Sequence, residues 1–202
     1  MKKYALLVVA IVLMAMLMSC SSSASVSRVQ TGTAAELSGD WNERDVEIIC
    51  SSMLDEMFHS PRYMEYSSGM SRRPRIRVGS FVNESDEHID TSIVTRKMQD
   101  AIFSSGLADF VSERSFLSDL HYEQDYGLMN ANPDEAASIG NEAAADLLLQ
   151  GSVQTIVQKS GRQEVRTYYV YAQLVDVETA LTVWTGMNDE ISKVITEPSV
   201  RW

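Results

Sequence analysis

Residues 146–157 read DLLLQGSVQTIV, and residues 166–177 read RTYYVYAQLVDV. Both stretches are rich in β-branched and aromatic residues, which is typical of β-strands. Ser160 and Gly161 stand between them and indicate a hairpin turn. The two stretches therefore predict a pair of antiparallel strands, and a further turn at residues 178–180 leads into a third strand over residues 181–186.

Helices and strands alternate in the first half of the chain. Apolar residues recur at helical spacing over residues 46–57 and again over residues 94–102, and the β-branched stretch 75–82 predicts a strand between them. The fold class is therefore α+β: a single domain with a mixed sheet of about five strands covered by helices, antiparallel in its C-terminal half. Further predicted elements are a loop over 62–73, a strand at 110–111, a helix over 113–126 with Phe116, Leu117 and Leu120 on its inner face, and a helix over 133–145.

The first nineteen residues have the order of a secretory signal. Lys2 and Lys3 precede an almost unbroken apolar run over residues 4–17, which at about fourteen residues is too short to span a bilayer as a helix. The segment ends at Leu17-Met18-Ser19-Cys20, which resembles a bacterial lipobox. This resemblance implies that Cys20 carries the lipid, and an ordinary cleaved signal in which Cys20 is incidental is the alternative.

The composition limits the kinds of partner. The net charge is −11, and removal of residues 1–19 takes away two lysines and no acidic residue, which leaves about −13. Such a charge repels nucleic acid and anionic headgroups, so we predict no nucleic-acid partner and a membrane attachment through the lipid on Cys20. Residues 20–37 are dominated by small and polar side chains and are interpreted as a flexible tether, which reaches at most about 60 Å when fully extended.

The sequence contains no convincing catalytic motif. It lacks a glycine-rich phosphate loop, a nucleophile elbow and the paired histidines of a zinc protease. The best metal candidate is the loop Asp86-Glu87-His88 with Asp90, but it has neither the order of a calcium loop nor a zinc ligand set. A solvated loop in which Asp90 or Thr91 caps the next helix explains it as well. We predict a protein that is not an enzyme and that has no metal site and no cofactor.

Two sets of side chains are candidates for partner binding. Tyr169 and Tyr171 lie in one predicted strand and face away from Tyr168, and tyrosine is favoured in interfaces. Arg75 and Arg77 belong to a basic run, with Arg72 and Arg73, that would suit an acidic partner surface. The alternatives are a face covered by a helix for the tyrosines and a solvated strand edge for the arginines.

Several stretches resemble a known group of envelope proteins. Residues 143–153, and residues 174–179 with Trp184, are similar to the core shared by the TolB N-terminal domain and the curli secretion lipoprotein CsgG. Within that group, residues 75–83 followed by 88–91, and the opening Gly39-Asp40-Trp41-Asn42, resemble the LpoB family. Ala180 departs from the pattern, because a glycine is common in the last turn.

The LpoB family consists of outer-membrane lipoproteins that activate a bifunctional penicillin-binding protein. The resemblance implies a lipid-anchored regulator that faces the periplasm and binds such a partner, with a globular domain over residues 38–190 and a tail over residues 191–202. The best-known members carry a long proline-rich tether, whereas this one has about seventeen residues and no proline. The alternatives are a subunit of a CsgG-like secretion or scaffold assembly and a metal- or ligand-binding envelope lipoprotein.

Overall fold

The computed structural model of the protein describes residues 39–130 and 142–196. They form an α+β domain in which four helices accompany a five-stranded mixed sheet. No helix in these two ranges is long and apolar enough to cross a membrane. The helices are α1 (Glu43–His59), α2 (Pro61–Ser68), α3 (Thr91–Ser105) and α4 (Leu117–Asn130), with a 3₁₀ turn at Arg114–Phe116, and the strands are β1 (Arg75–Asn83), β2 (Asp109–Phe110), β3 (Leu147–Ser160), β4 (Gln163–Asp176) and β5 (Thr182–Thr196).

The sheet has the strand order β2-β1-β3-β4-β5. The strands β1, β2 and β3 run parallel, whereas β3, β4 and β5 form an antiparallel meander. The β3–β4 ladder is continuous from Leu147 paired with Asp176 to Ser160 paired with Gln163. The predicted hairpin and the antiparallel C-terminal half are therefore confirmed.

One face of the sheet holds the core. Helices α1 and α2 pack against β5, and α3 packs against β1. The side chains that β4 contributes to this inner face, from Tyr168 to Leu174 at every second residue, are at most 1% exposed. Burial of large apolar side chains at this spacing fixes the register, because a slip of one residue would turn all of them to the opposite face.

The ends of the two main helices are fixed by capping residues. Asn42 and Asp45 form a capping box at the start of α1, in which each side chain accepts a hydrogen bond from a backbone N–H of the other residue. Asp90 caps α3, and Gly106 ends it with a left-handed φ of 64°. The acidic loop before α3 therefore supplies the cap that the sequence predicted.

The structure corrects the sequence-based element assignment in four places. Residues 61–68 form helix α2 rather than a loop, since Ser60 caps a helix that has Pro61 at its first position. Strand β5 continues through Thr196 with Ile191 and Lys193 buried, so residues 191–196 belong to the sheet and not to a tail. The helix predicted over 133–145 falls mostly outside the described residues, and residues 142–145 are not helical.

Helix α4 is the other correction. Its inner face was predicted to include Phe116, Leu117 and Leu120, yet no side chain of α4 is buried, and Phe116 just before it is 60% exposed. Helical spacing of apolar residues indicates a helix correctly, but it cannot show whether a partner element lies against that helix.

Candidate functional site

The candidate site begins with the alternation of side chains along β4. Tyr168 points to the inner face and is 0% exposed, whereas Tyr169 and Tyr171 are half-buried on the opposite, outer face. Side chains two residues apart on a strand lie on the same face. The structure therefore brings Tyr169 and Tyr171 together as neighbours, as predicted.

The antiparallel register adds apolar neighbours to these two tyrosines. Tyr171 pairs with Ser152 on one side and with Met187 on the other, and Tyr169 pairs with Gln154. Ile156 follows on β3 and Val194 lies further along β5, both on the outer face. Met187, Val194 and Ile156 are 62%, 64% and 51% exposed. We call the surface formed by Ile156, Tyr169, Tyr171, Met187 and Val194 the tyrosine face.

The tyrosine face has several features of a protein interface. The positions that surround it on the two hairpins are mostly glutamine, serine and threonine, and Asp189 and Glu190 are exposed opposite Tyr169, where the register of β5 shifts. Interface centres are depleted in charged residues and enriched in tyrosine and methionine. Sequence analysis missed Ile156, Met187 and Val194, although the alternation along β3 and β5 would have placed them once the register was known.

On the inner face of the sheet, Tyr168 belongs to a network of hydrogen bonds and ion pairs. The Tyr168 hydroxyl donates to the Glu87 carboxylate over 2.7 Å, and Arg166 forms an ion pair with the same carboxylate. Burial raises the pKa of Tyr168 to about 12. Lys193 lies beside the tyrosine ring and binds Asp45 over 2.6 Å, with 5% and 2% of the two side chains exposed.

This network holds the start of the domain against the sheet. Lys193 donates to the carbonyl oxygen of Asp40 over 2.6 Å, and the backbone N–H of Trp41 donates to Glu87 over 3.3 Å. The Trp41 ring lies 5.1 Å from the ring of Tyr168. Residues 39–42 are therefore fixed on the inner face, which leaves the tyrosine face on the other side of the sheet.

The loop that was the best metal candidate has its acidic groups bound within the protein. Asp86 accepts from Thr155 over 2.5 Å, and that hydrogen bond is the main reason its pKa is lowered. Glu87 binds Arg166 and Tyr168, and Asp90 caps α3. No group of three or more potential metal ligands occurs within residues 39–130 and 142–196.

The predicted arginines lie at a distance from the tyrosine face. Arg77 pairs with Leu148 on β3, which in turn pairs with Val175 on β4. Arg77 therefore lies two strands away from β4, at the level of a residue four positions beyond Tyr171. Arg75 precedes it on the same strand. The neighbouring Arg72 is neutralised by a bidentate ion pair with Asp146, at 2.6 and 2.8 Å. The structure therefore does not join Arg75 and Arg77 to the two tyrosines.

The chain contains two cysteines. Cys50 is buried in α1, and burial raises the pKa of its thiol to about 12, so it behaves as a small core side chain. Cys20, the predicted lipid attachment site, lies outside the described residues, as do the predicted signal peptide and most of the predicted tether.

Comparison with known proteins identifies one family. The sequence pattern of the family described as peptidoglycan-synthase activator LpoB matches residues 45–189, which is well over half of the chain. No curated protein sequence matches the chain significantly.

Solved structures give weaker likenesses. The LpoB C-terminal domain from Salmonella enterica is 14% identical, with 75% of this chain and 96% of that one covered and a TM-score of 0.37. LpoB from Escherichia coli is 14% identical over 88% and 86% of the two chains, with a TM-score of 0.34. A PelC dodecamer from Paraburkholderia phytofirmans is 16% identical over 65% and 79%, with a TM-score of 0.36.

Proposed function

The chain belongs to the peptidoglycan-synthase activator LpoB family, and from this premise we propose that it is a non-enzymatic regulator of peptidoglycan synthesis. It is held in the cell envelope by a lipid on Cys20, faces the periplasm from the outer membrane, and binds a bifunctional penicillin-binding protein. The family match over residues 45–189 is the observation that carries this proposal.

The tyrosine face is the contact surface in this proposal. It combines two tyrosines with three exposed apolar side chains on a rigid antiparallel sheet, and interface hot spots are enriched in tyrosine. Residues 39–42 lie on the other side of the sheet, so they do not cover this surface. Arg75 and Arg77 are a secondary contact, on β1 at the far end of the same face.

Activation requires more than binding. A regulator shifts its partner toward an active conformation only to the extent that it binds that conformation more tightly, and a tenfold shift needs about 1.4 kcal/mol of differential affinity. A preformed sheet surface suits this role, because little ordering entropy is lost when a rigid surface binds.

The first test is an in-cell crosslinking pull-down with the full-length lipoprotein, followed by mass spectrometry. We expect a bifunctional penicillin-binding protein among the crosslinked partners. Recovery of only further copies of the chain, or of secretion components, would contradict the proposal and favour a scaffold assembly.

The second test measures the affinity of the purified full-length lipoprotein for the recovered synthase, together with glycan-chain synthesis by the synthase with and without the lipoprotein. We expect the double variant Tyr169→Ala/Tyr171→Ala to lose binding by roughly thirtyfold or more, since each tyrosine in an interface centre contributes about 1–2 kcal/mol. Tyr122→Ala is the control, because this tyrosine is 71% exposed and lies on helix α4 rather than on the sheet. Equal losses in both variants would reject the tyrosine face while leaving the activator role open.

A further inference from the structure

A groove lies along β1, on the side of that strand away from β3. Strand β2 pairs with β1 only at Arg75 and Ile76, so the groove begins where this short pairing ends. It has a volume of about 440 Å³ and is lined by consecutive β1 residues, by the first turns of α3 and by the segment that follows β2. Pockets of 300–1,000 Å³ are of a size that holds small organic ligands.

Two arginines line this groove, one from each side. Arg77 comes from β1 and Arg96 from the second turn of α3. Across residues 39–130 and 142–196, neither has an ion pair with a carboxylate, whereas Arg72, Arg73 and Arg166 all do. The Nε atom of Arg77 is buried and has no hydrogen-bond partner in the described structure. A buried donor of this kind needs an acceptor, and its cost in free energy falls when one binds.

The other polar groups of the groove divide into engaged and available ones. The hydroxyl of Thr91 donates to the carbonyl oxygen of Phe81 over 2.6 Å, and that of Thr95 donates to Thr91 over 3.2 Å. Ser80 and Ser92 are exposed, but the Ser92 hydroxyl is hydrogen bonded to the carboxylate of Asp90. The Ser80 hydroxyl has no hydrogen bond to the rest of the described chain and is therefore available to a ligand.

One carboxylate also lines the groove. Glu113 accepts hydrogen bonds from the side chains of Gln99 and Ser115, so its oxygens are already occupied by neutral donors. The groove is lined by two guanidinium groups and one carboxylate, an excess of positive charge in a chain whose net charge is −11, and Asp90 just before α3 also attracts Arg96. An anionic ligand is repelled by the chain as a whole, so it binds only where such a local excess exists.

We propose that this groove binds a short acidic peptide segment, with carboxylates on Arg77 and Arg96 and a hydrogen bond from Ser80. The planar guanidinium accommodates a carboxylate through two parallel N–H···O bonds, which gives both affinity and orientation. Two arginines in one groove match two carboxylates on a single peptide, and the volume exceeds what one small anion needs. The site is separate from the tyrosine face but shares Arg77 with the secondary contact proposed above. Its test uses a peptide and no synthase, so the outcome does not depend on the activator proposal.

The test is isothermal titration calorimetry of the purified full-length chain in detergent, with acetyl-Glu-Ala-Glu-amide as the probe. We expect the acidic peptide to bind and acetyl-Lys-Ala-Lys-amide not to bind, with affinity falling as salt rises. Arg96→Ala is expected to weaken binding about tenfold, in line with the loss of a hydrogen bond between charged groups. Arg77→Lys keeps the positive charge but loses the planar guanidinium and its two parallel N–H donors, and it is expected to weaken binding several-fold.

The controls separate this site from a general charge effect. Arg162→Ala removes an exposed arginine at the β3–β4 turn and is expected to leave the affinity within about twofold. The proposal is overturned if the Arg77→Lys/Arg96→Ala double variant binds the acidic peptide as tightly as the parent chain while its unfolding curve is unchanged. It is also overturned if inorganic phosphate saturates the groove at lower concentration than the peptide, which would make this a simple anion site.

Discussion

Tyr168 and Tyr169 are neighbours in sequence and identical in chemistry, but they occupy opposite faces of β4. Tyr168 is fully buried and hydrogen bonded to Glu87, next to the Lys193–Asp45 ion pair. Tyr169 is half-buried on the tyrosine face, where it pairs with Gln154 on β3 and has the exposed Asp189 and Glu190 opposite it on β5. The same residue type therefore stabilises the fold on one face and is available for recognition on the other. The alternation of side chains along the strand determines which face each tyrosine occupies.

Residues of the inner face should therefore contribute most to the free energy of unfolding, and the largest decrease in that free energy is expected from Lys193→Ala. The variant leaves Asp45 buried without its ion-pair partner, which typically costs about 3 kcal/mol or more. Urea denaturation followed by tryptophan fluorescence measures the change. Lys159→Ala is the control, since the Lys159 side chain is 70% exposed in its pair with Glu164 and the expected loss is under about 0.5 kcal/mol. Similar losses in the two variants would contradict a special role for the inner network.

A smaller effect is expected from removing single hydroxyl groups on the two faces. Tyr168→Phe deletes the donor to the partly buried Glu87 carboxylate, and we expect a loss of about 1.5 kcal/mol in the free energy of unfolding. Tyr169→Phe deletes a hydroxyl that faces solvent or a partner, and the expected change is within about 0.5 kcal/mol. If both substitutions destabilised the protein equally, the contrast between the faces would not hold.

The turn between β4 and β5 offers a change that touches neither face. Ala180 has a left-handed φ of 59°, a conformation that costs an L-residue about 1–2 kcal/mol and costs glycine very little. We expect Ala180→Gly to stabilise the protein by about 0.5–1 kcal/mol, once the greater chain entropy of glycine is subtracted. Thermal unfolding measures the gain, and unchanged partner binding would show that stability and recognition are separable.

The smallest effect on stability is expected from the titration of Asp146, just before β3, and Asp176, at the end of β4. The Arg72 guanidinium holds the pKa of Asp146 below its usual value of 3.8, and hydrogen bonds from Thr179 and Tyr66 do the same for Asp176. Groups with a lowered folded pKa stabilise the protein above their ordinary pKa, and this contribution is lost as the pH falls below about 4. Urea midpoints between about pH 6 and pH 3 should therefore decline less in Asp146→Asn than in the parent chain.

Much of the fold was predictable because it depends on local patterns. The α1 and α3 helices, their caps at Asn42 and Asp90, and the β3–β4 hairpin all follow from spacing and capping chemistry within short segments. Helix α2 was missed, although Ser60-Pro61 is a recognisable helix start. The exposure of α4 was not predictable, because an amphipathic pattern does not specify what packs against it.

The candidate site was predictable only in part. Tyr169 and Tyr171 followed from alternation along one strand, which is a local property. Met187 and Val194 join them only through the register of β4 with β5. The separation of Arg77 from the tyrosines depends on the order β1-β3-β4, which brings together strands far apart in the chain.

The secondary structure of the hairpin, the acidic character of the chain and its resemblance to one family all follow from the amino-acid sequence. The packing of distant segments was needed to show which side chains share a face, that Lys193 and Asp45 meet in the core, and that Arg77 and Arg96 line one groove. Local preferences act over a few residues, whereas Asp45 and Lys193 are 148 positions apart in the chain. They come within 2.6 Å of each other only because α1 packs on β5.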